Sequence, residues 1–152
     1  FLNASIWSAH TWTYATSFTL PAAAAAAATA AGGRVLLVFD GVKMGANISL
    51  DGQPLGTATD QFLRYTYDVT PLLRPGQSHT LSLAFDPATH VDGRYMACTG
   101  GWDWAAYSHT YLDGAHTFSK GVWKDVYLAA SAPAAAAITA VVPQIFYLGE
   151  YP

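Results

Sequence analysis

Glutamate is almost missing from this chain: Glu150 stands alone against nine aspartates. Most of those aspartates sit in turn-forming pairs such as Asp51-Gly52, Asp86-Pro87 and Asp92-Gly93. A reaction that needs two carboxyl groups flanking a scissile bond therefore finds no evident pair here. Cysteine is reduced to Cys98, which excludes an internal disulfide framework and a cysteine-based zinc site. Charged residues make up 11% of the chain and its net charge is −3. The seven Lys and Arg are scattered rather than gathered into the basic stripe of a nucleic-acid binder. The longest apolar tract, Ala22 to Ala28, falls well short of the ~20 residues that span a bilayer. No serine-hydrolase elbow, zinc-protease helix motif or phosphate loop is present. The five histidines show no helical i, i+4 pairing, and no clustered oxygen ligands suggest calcium. Neither a metal nor a cofactor is implied, and nothing here makes an enzyme by itself.

What is abundant is apolar: 52% of residues are hydrophobic and 14% aromatic, enough for one domain with a sizeable core. Alternation with a period of two dominates, and amphipathic helices are nearly absent. Arg34 to Phe39 is a short continuous apolar run, the pattern of a strand buried on both faces. Ala46, Ile48 and Leu50 alternate with Asn47 and Ser49 before Asp51-Gly52, a hairpin turn. Leu63, Tyr65, Tyr67 and Val69 share one strand face. Leu81, Leu83 and Phe85 share another, and Val122 to Leu128 alternate again. Short strands separated by Gly, Pro and Asp turns predict an all-β sandwich or jelly roll.

Residues 1–128 form the expected sandwich domain, with 22–33 an alanine-rich insertion in a surface loop offering one or two helical turns. Residues 129–137 are the expected linker, and 138–152 the first strand of a following domain. The absence of an initiator Met at Phe1, and the stop at Pro152 just after an apolar run, suggest a piece of a longer polypeptide. Both asparagines, Asn3 and Asn47, head N-x-S sequons. The pair points to a secreted or lysosomal protein, with a cytoplasmic one as the alternative.

Thr99-Gly-Gly-Trp102-Asp103-Trp104 stands out. An indole stacks on the apolar C–H face of a sugar, and an aspartate accepts hydrogen bonds from two adjacent hydroxyls. The competing reading places Trp102 and Trp104 in the core with Asp103 in solvent. Trp7, Trp12 and Trp123 are expected mainly in core packing.

The stretch Phe39-Asp-Gly41-Val-Lys-Met-Gly-Ala46-Asn-Ile-Ser-Leu-Asp-Gly52-Gln-Pro-Leu-Gly56 resembles the N-terminal sugar-binding domains of glycoside hydrolase family 2. So do Trp12-Thr-Tyr14-Ala-Thr-Ser-Phe18-Thr-Leu20-Pro21, Phe62-Leu-Arg-Tyr65-Thr-Tyr-Asp68-Val69 and Gly121-Val-Trp-Lys-Asp-Val126-Tyr-Leu128, in the right order. Gly101-Trp-Asp-Trp104 preceded by Arg94 is similar to the β-mannosidase branch. The chain departs from that branch at Tyr95, where a Lys usually stands, and at Ala105-Ala106, where Gly-Pro usually follows. The resemblance implies a galactose-binding-like jelly roll, followed by an immunoglobulin-like domain and a TIM barrel carrying two catalytic glutamates. It implies that Trp102, Asp103 and Trp104 contact the terminal β-linked sugar, with Arg94 either orienting Asp103 or forming a structural ion pair elsewhere. Mannose, as against galactose or glucuronate, rests on that Trp-Asp-Trp loop alone. The alternatives are a free-standing carbohydrate-binding module and a purely structural sandwich.

Overall fold

The computed structural model describes residues 10–43, 45–86, 110–112, 115–117, 120–133, 138 and 141–149. Among these described residues, nine strands and one helix follow in chain order. They are β1 (Trp12–Thr19), α1 (Ala22–Thr29), β2 (Arg34–Phe39), β3 (Ala46–Leu50), β4 (Gln53–Ala58) and β5 (Tyr65–Asp68). Then come β6 (Ser78–Phe85), β7 (Thr110–Leu112), β8 (Ala115–Thr117) and β9 (Val126–Ser131). The order β1-β6-β3-β4 makes a four-stranded sheet and β5-β2-β9 a three-stranded one, while β7 and β8 pair as a hairpin. Every pairing is antiparallel.

Alternation decides which side chains enter the core. In β3, Ala46, Ile48 and Leu50 are buried while Asn47 and Ser49 face outward. In β6, His79, Leu81, Leu83 and Phe85 are buried in the same rhythm. Cross-strand pairs set Ile48 beside Leu83 and Leu50 beside Leu81, so the inner face is continuous. The second sheet answers with Val35, Leu37 and Phe39 of β2. Phe39 meets the Tyr67 ring edge-on, 6.1 Å between centroids at 77°. Val42, Val69 and Leu73 close the ends of the core.

The alanine-rich stretch forms its two helical turns, but not as an idle surface loop. Eight residues are too few for a stable isolated helix. Ala24 and Ala27 join the buried cluster, and α1 packs on β9 and β2, which supplies what propensity alone does not. Gly33 is required here: a Cβ would lie 2.2 Å from the carbonyl oxygen of Ala27. β9 runs three residues into the stretch expected as a linker, pairing Ala129, Ala130 and Ser131 with Leu36, Val35 and Arg34. The described residues of 138–149 carry no strand, and their apolar side chains are exposed.

The β3–β4 turn carries a charged bond. Asp51 (φ 51°) and Gly52 (φ 78°) both take the left-handed conformation that a two-residue hairpin demands. That geometry aims the Asp51 carboxylate at the neighbouring strand. Its Oδ2 lies 2.6 Å from Nδ1 of His79, and its Oδ1 accepts the Thr80 N–H at 2.7 Å. The Arg74 N–H donates to Nε2 of the same ring at 3.0 Å, which leaves the ring proton on Nδ1 facing Asp51. The imidazole, 2% exposed, thus links the hairpin to the 70–77 turn. Its hydrogen bond, followed by that of the Thr80 amide, holds the Asp51 carboxyl below its ordinary value of 3.8. A depressed carboxyl contributes stability fully above 3.8 and loses it as the pH falls through the folded-state value. Asp51→Asn, which keeps the left-handed turn, is therefore expected to be less stable than wild type at pH 6. The gap should close below pH 3.8, read from urea midpoints across that range. Parallel curves would refute the assignment.

Candidate functional site

The chain leaves the four-stranded sheet at Phe85 and rejoins the sandwich at Lys120. Between them runs a long excursion, residues 87–119, in which β7–β8 is the described part. Arg94, Trp102, Asp103 and Trp104 all belong to it and lie outside the described residues, as does Asn3. What the structure does define is how the described residues on either side of it, Asp86 and Lys120, are held.

Both flanks lean on one segment, Gly41–Gly45, the crossover from β2 to β3. The Asp86 N–H donates to the Gly45 carbonyl at 2.8 Å, and the Lys43 N–H donates to the Gly121 carbonyl at 2.9 Å. Val42 and Val122 form an antiparallel bridge flanked by the Lys43–Gly121 bond and by the Trp123 N–H, which donates to the Gly41 carbonyl at 3.1 Å. Lys120 Nζ donates to the Asp86 carbonyl at 3.1 Å, joining exit to entry directly. The Tyr14 hydroxyl, from β1, donates to the Lys120 carbonyl at 3.4 Å. Gly121 sits at φ 140°, a conformation that strains other residues. These contacts draw the Trp12 to Pro21, Phe39 to Gly56 and Gly121 to Leu128 motifs to one place.

Gly41 has its own steric reason. A Cβ there would come within 2.6 Å of Trp123 Nε1. Trp123 is 45% exposed, not a core residue as its sequence context suggests. It precedes the start of β9 at Val126, so strand alternation does not direct its side chain. Instead its indole N–H donates to the Gln61 carbonyl at 3.1 Å and Lys124 Nζ lies 4.4 Å from the ring centre. With Gly41 against its edge and an ammonium over its face, this indole is not an open platform for a sugar ring. Trp12, by contrast, is half-buried and packs against the core.

The Phe62 to Val69 motif is structural as well. Tyr65 Oη accepts the N–H groups of Thr59 (2.9 Å) and Asp60 (2.7 Å) and donates to the Asp60 carbonyl, tying down the turn after β4. Burial, and then the neighbouring Tyr65, pushes the Tyr67 phenol up. Asp68 accepts the Thr70 hydroxyl at 2.6 Å and the Arg34 guanidinium at 3.0 Å. The Thr70 hydroxyl, with the Thr70 amide and Arg34, holds the Asp68 carboxyl low. The Tyr65 hydroxyl and the Asp68 carboxylate are thus committed to partners within the protein.

A cavity of about 550 Å³ opens between the sheets where β1 and β6 face β2 and β9. Leu37, Leu81, Leu83, Val126 and Leu128 line it together with Tyr14, Thr16, Thr19 and Tyr127, and among the described residues no charged side chain does. Asn47, exposed on the outer face of β3, accepts the Thr57 hydroxyl through Oδ1 at 2.8 Å. Among the described residues, no group of three or more His, Cys, Asp or Glu is placed to hold a metal ion.

Two antiparallel sheets packed face to face define a β-sandwich of the jelly-roll kind. The chain belongs to the galactose-binding-like domain family of glycoside hydrolase family 2: the family described as "Glycosyl hydrolase 2 galactose-binding domain-like" matches residues 2–124. It is 29% identical, over 141 aligned residues and 78% of its length, to β-mannosidase B of Emericella nidulans. β-Mannosidase B of Aspergillus oryzae matches to the same extent. The chain spans about 15% of the length of these relatives. Among solved structures, the Bacteroides uniformis β-glucuronidase superimposes with a TM-score of 0.57 at 19% identity, over 86% of this chain and 13% of that one. The Faecalibacterium prausnitzii β-glucuronidase gives 0.52 at 25% identity, over 82% and 22%.

Proposed function

We propose that this chain is the N-terminal accessory domain of a retaining exo-β-glycosidase of β-mannosidase type, which hydrolyses O-glycosidic bonds of carbohydrates. In this reading the excursion 87–119 carries Trp102-Asp103-Trp104 to the terminal sugar, and bond cleavage takes place on other domains of the same polypeptide. The observation that carries the reading is the pinned base. The described residues on either side of the excursion, Asp86 and Gly121, are hydrogen-bonded to the same crossover, through Gly45 and Lys43. An enzyme that must present a loop to a substrate held elsewhere needs such anchoring.

The chemistry is divided accordingly. Retaining hydrolysis needs two carboxyl groups about 5–5.5 Å apart, one as nucleophile and one as acid/base. A chain with one glutamate does not supply them, and the relatives named β-mannosidase B are far longer. Asp103 accepts hydrogen bonds from adjacent sugar hydroxyls, an indole of Trp102 or Trp104 walls the subsite, and Arg94 steadies the carboxylate. The loop and the names of those relatives support mannose as the sugar.

A titration separates this accessory role from that of a self-sufficient binding module. The 152-residue chain, titrated calorimetrically with mannose and β-manno-oligosaccharides, is expected to show no saturable binding. The full-length protein should hydrolyse an aryl β-mannoside. Micromolar binding by the domain alone, or an inactive full-length protein, would overturn the reading.

A further inference from the structure

We propose that Asn47 is a modification site: it carries an N-linked oligosaccharide that covers the outer face of the four-stranded sheet. The inference is independent of the function proposed above, since it concerns how the domain meets water rather than what it does to a substrate. Asn47-Ile48-Ser49 is a sequon, and the fold decides whether its product can be accommodated. β3 lies between β6 and β4, so each of its side chains points either into the core or out of the sheet. Ile48 takes the core position at 1% exposure, and Asn47 faces solvent. Its amide is engaged on one side only. Oδ1 accepts the Thr57 hydroxyl at 2.8 Å, while Nδ2, the atom that a sugar joins, bonds to no group among the described residues.

The surroundings supply a second, independent reason. Leu81, Leu83 and Phe85 are buried, which turns Thr80, Ser82 and Ala84 of β6 to the same outer face as Asn47. Opposite them, in register, stand Ser17, Ala15 and Thr13 of β1. The Ser17 and Thr80 hydroxyls meet at 3.3 Å across that face. All of these side chains are small and none is charged. Exposed sheet faces normally carry charges, which keep them soluble and stop them stacking on one another. A hydrated, bulky glycan supplies that protection where side chains do not. The residues directly opposite Asn47, Ala84 and Thr57, are short enough to leave room for it.

The donor class is an oligosaccharide linked through diphosphate to a lipid, supplied by the cell as the chain enters the secretory pathway. The Asn47 nitrogen forms a bond to C1 of the reducing-end sugar and gives up one proton. The bond from C1 to the diphosphate oxygen breaks, and the lipid diphosphate leaves with the bonding pair. Transfer takes place on the extended chain, so the finished strand has only to tolerate the product.

The test is peptide mapping of the full-length protein purified from the cells that make it. Trypsin cuts after Lys43 and Arg64, which separates Asn47 from the other sequon at Asn3. Peptide 44–64 is expected mostly as a glycopeptide, and peptide N-glycosidase in heavy-oxygen water should convert Asn47 to labelled Asp. An unmodified Asn47 would overturn the proposal, leave the hydrolase reading untouched, and assign the uncharged face to contact with another part of the polypeptide. Ser49→Ala removes the sequon but keeps Asn47 and its bond to Thr57. It is expected to abolish the glycopeptide and lower the soluble yield several-fold, whereas Ser49→Thr should retain both. Equal solubility of wild type and Ser49→Ala would refute the covering role.

Discussion

Replacing Asp103 by Ala in the full-length glycosidase is expected to lower kcat/KM by about ten- to a hundredfold and leave thermal unfolding unchanged. A hydrogen bond to a charged group contributes about 1.5–3 kcal/mol, and each 1.4 kcal/mol is tenfold in an equilibrium or rate ratio. Two such bonds to neighbouring hydroxyls give specificity as well, since a sugar with one of those hydroxyls inverted leaves part of the carboxylate unpaired. The loss should therefore shrink for substrates that already lack the matching hydroxyl pair. Aryl β-mannoside, β-galactoside and β-glucuronide kinetics on wild type and Asp103→Ala check both statements. An equal loss on all three sugars would point to a collapsed site, and no loss on any would remove Asp103 from the substrate.

Phe39→Ala is expected to have the largest effect on stability. The side chain is fully buried on β2, the central strand of its sheet, between β5 and β9, with its ring against Tyr67. Truncating a buried Phe costs about 3–5 kcal/mol in lost transfer energy and cavity formation. In a domain of this size that lowers Tm by roughly 10–20 °C. Phe62→Ala is the contrast within the same chain. Phe62 is 57% exposed, and its loss should stay within about 0.5 kcal/mol. Thermal melts of both variants read the difference directly, and a Phe39→Ala melt within a few degrees of wild type would refute the placement of the core.

Much of the sandwich was legible before any coordinates. Ile48 and Leu50, and Leu81, Leu83 and Phe85, point inward because side chains alternate along a strand, a local rule that needs no partner. Asp51-Gly52 reads as a hairpin for an equally local reason: both residues tolerate positive φ. Trp123 was misread because alternation says nothing outside a strand, and only the position of Gly41 and Gln61 shows where its indole goes. His79 carries no sign of its role in the sequence, since Asp51 and Arg74 come from other segments. The site divides in the same way. Trp102-Asp103-Trp104 and Arg94 stand out by residue type and resemblance, whereas Lys120 is one lysine among three until its distance to the Asp86 carbonyl is known.

By itself, then, the sequence determined the alternation of β3 and β6, the Asp51-Gly52 turn, the want of an evident carboxylate pair and the family resemblance. Each follows from neighbours along the chain or from short motifs read in order. Only the tertiary structure decided that β1 pairs with β6 and β6 with β3, that the alanine helix covers β9, and that both ends of the 87–119 excursion meet at Gly41–Gly45. Those contacts join residues dozens of positions apart. Their partners are chosen by how whole faces bury together, a collective property that no local pattern of residues encodes.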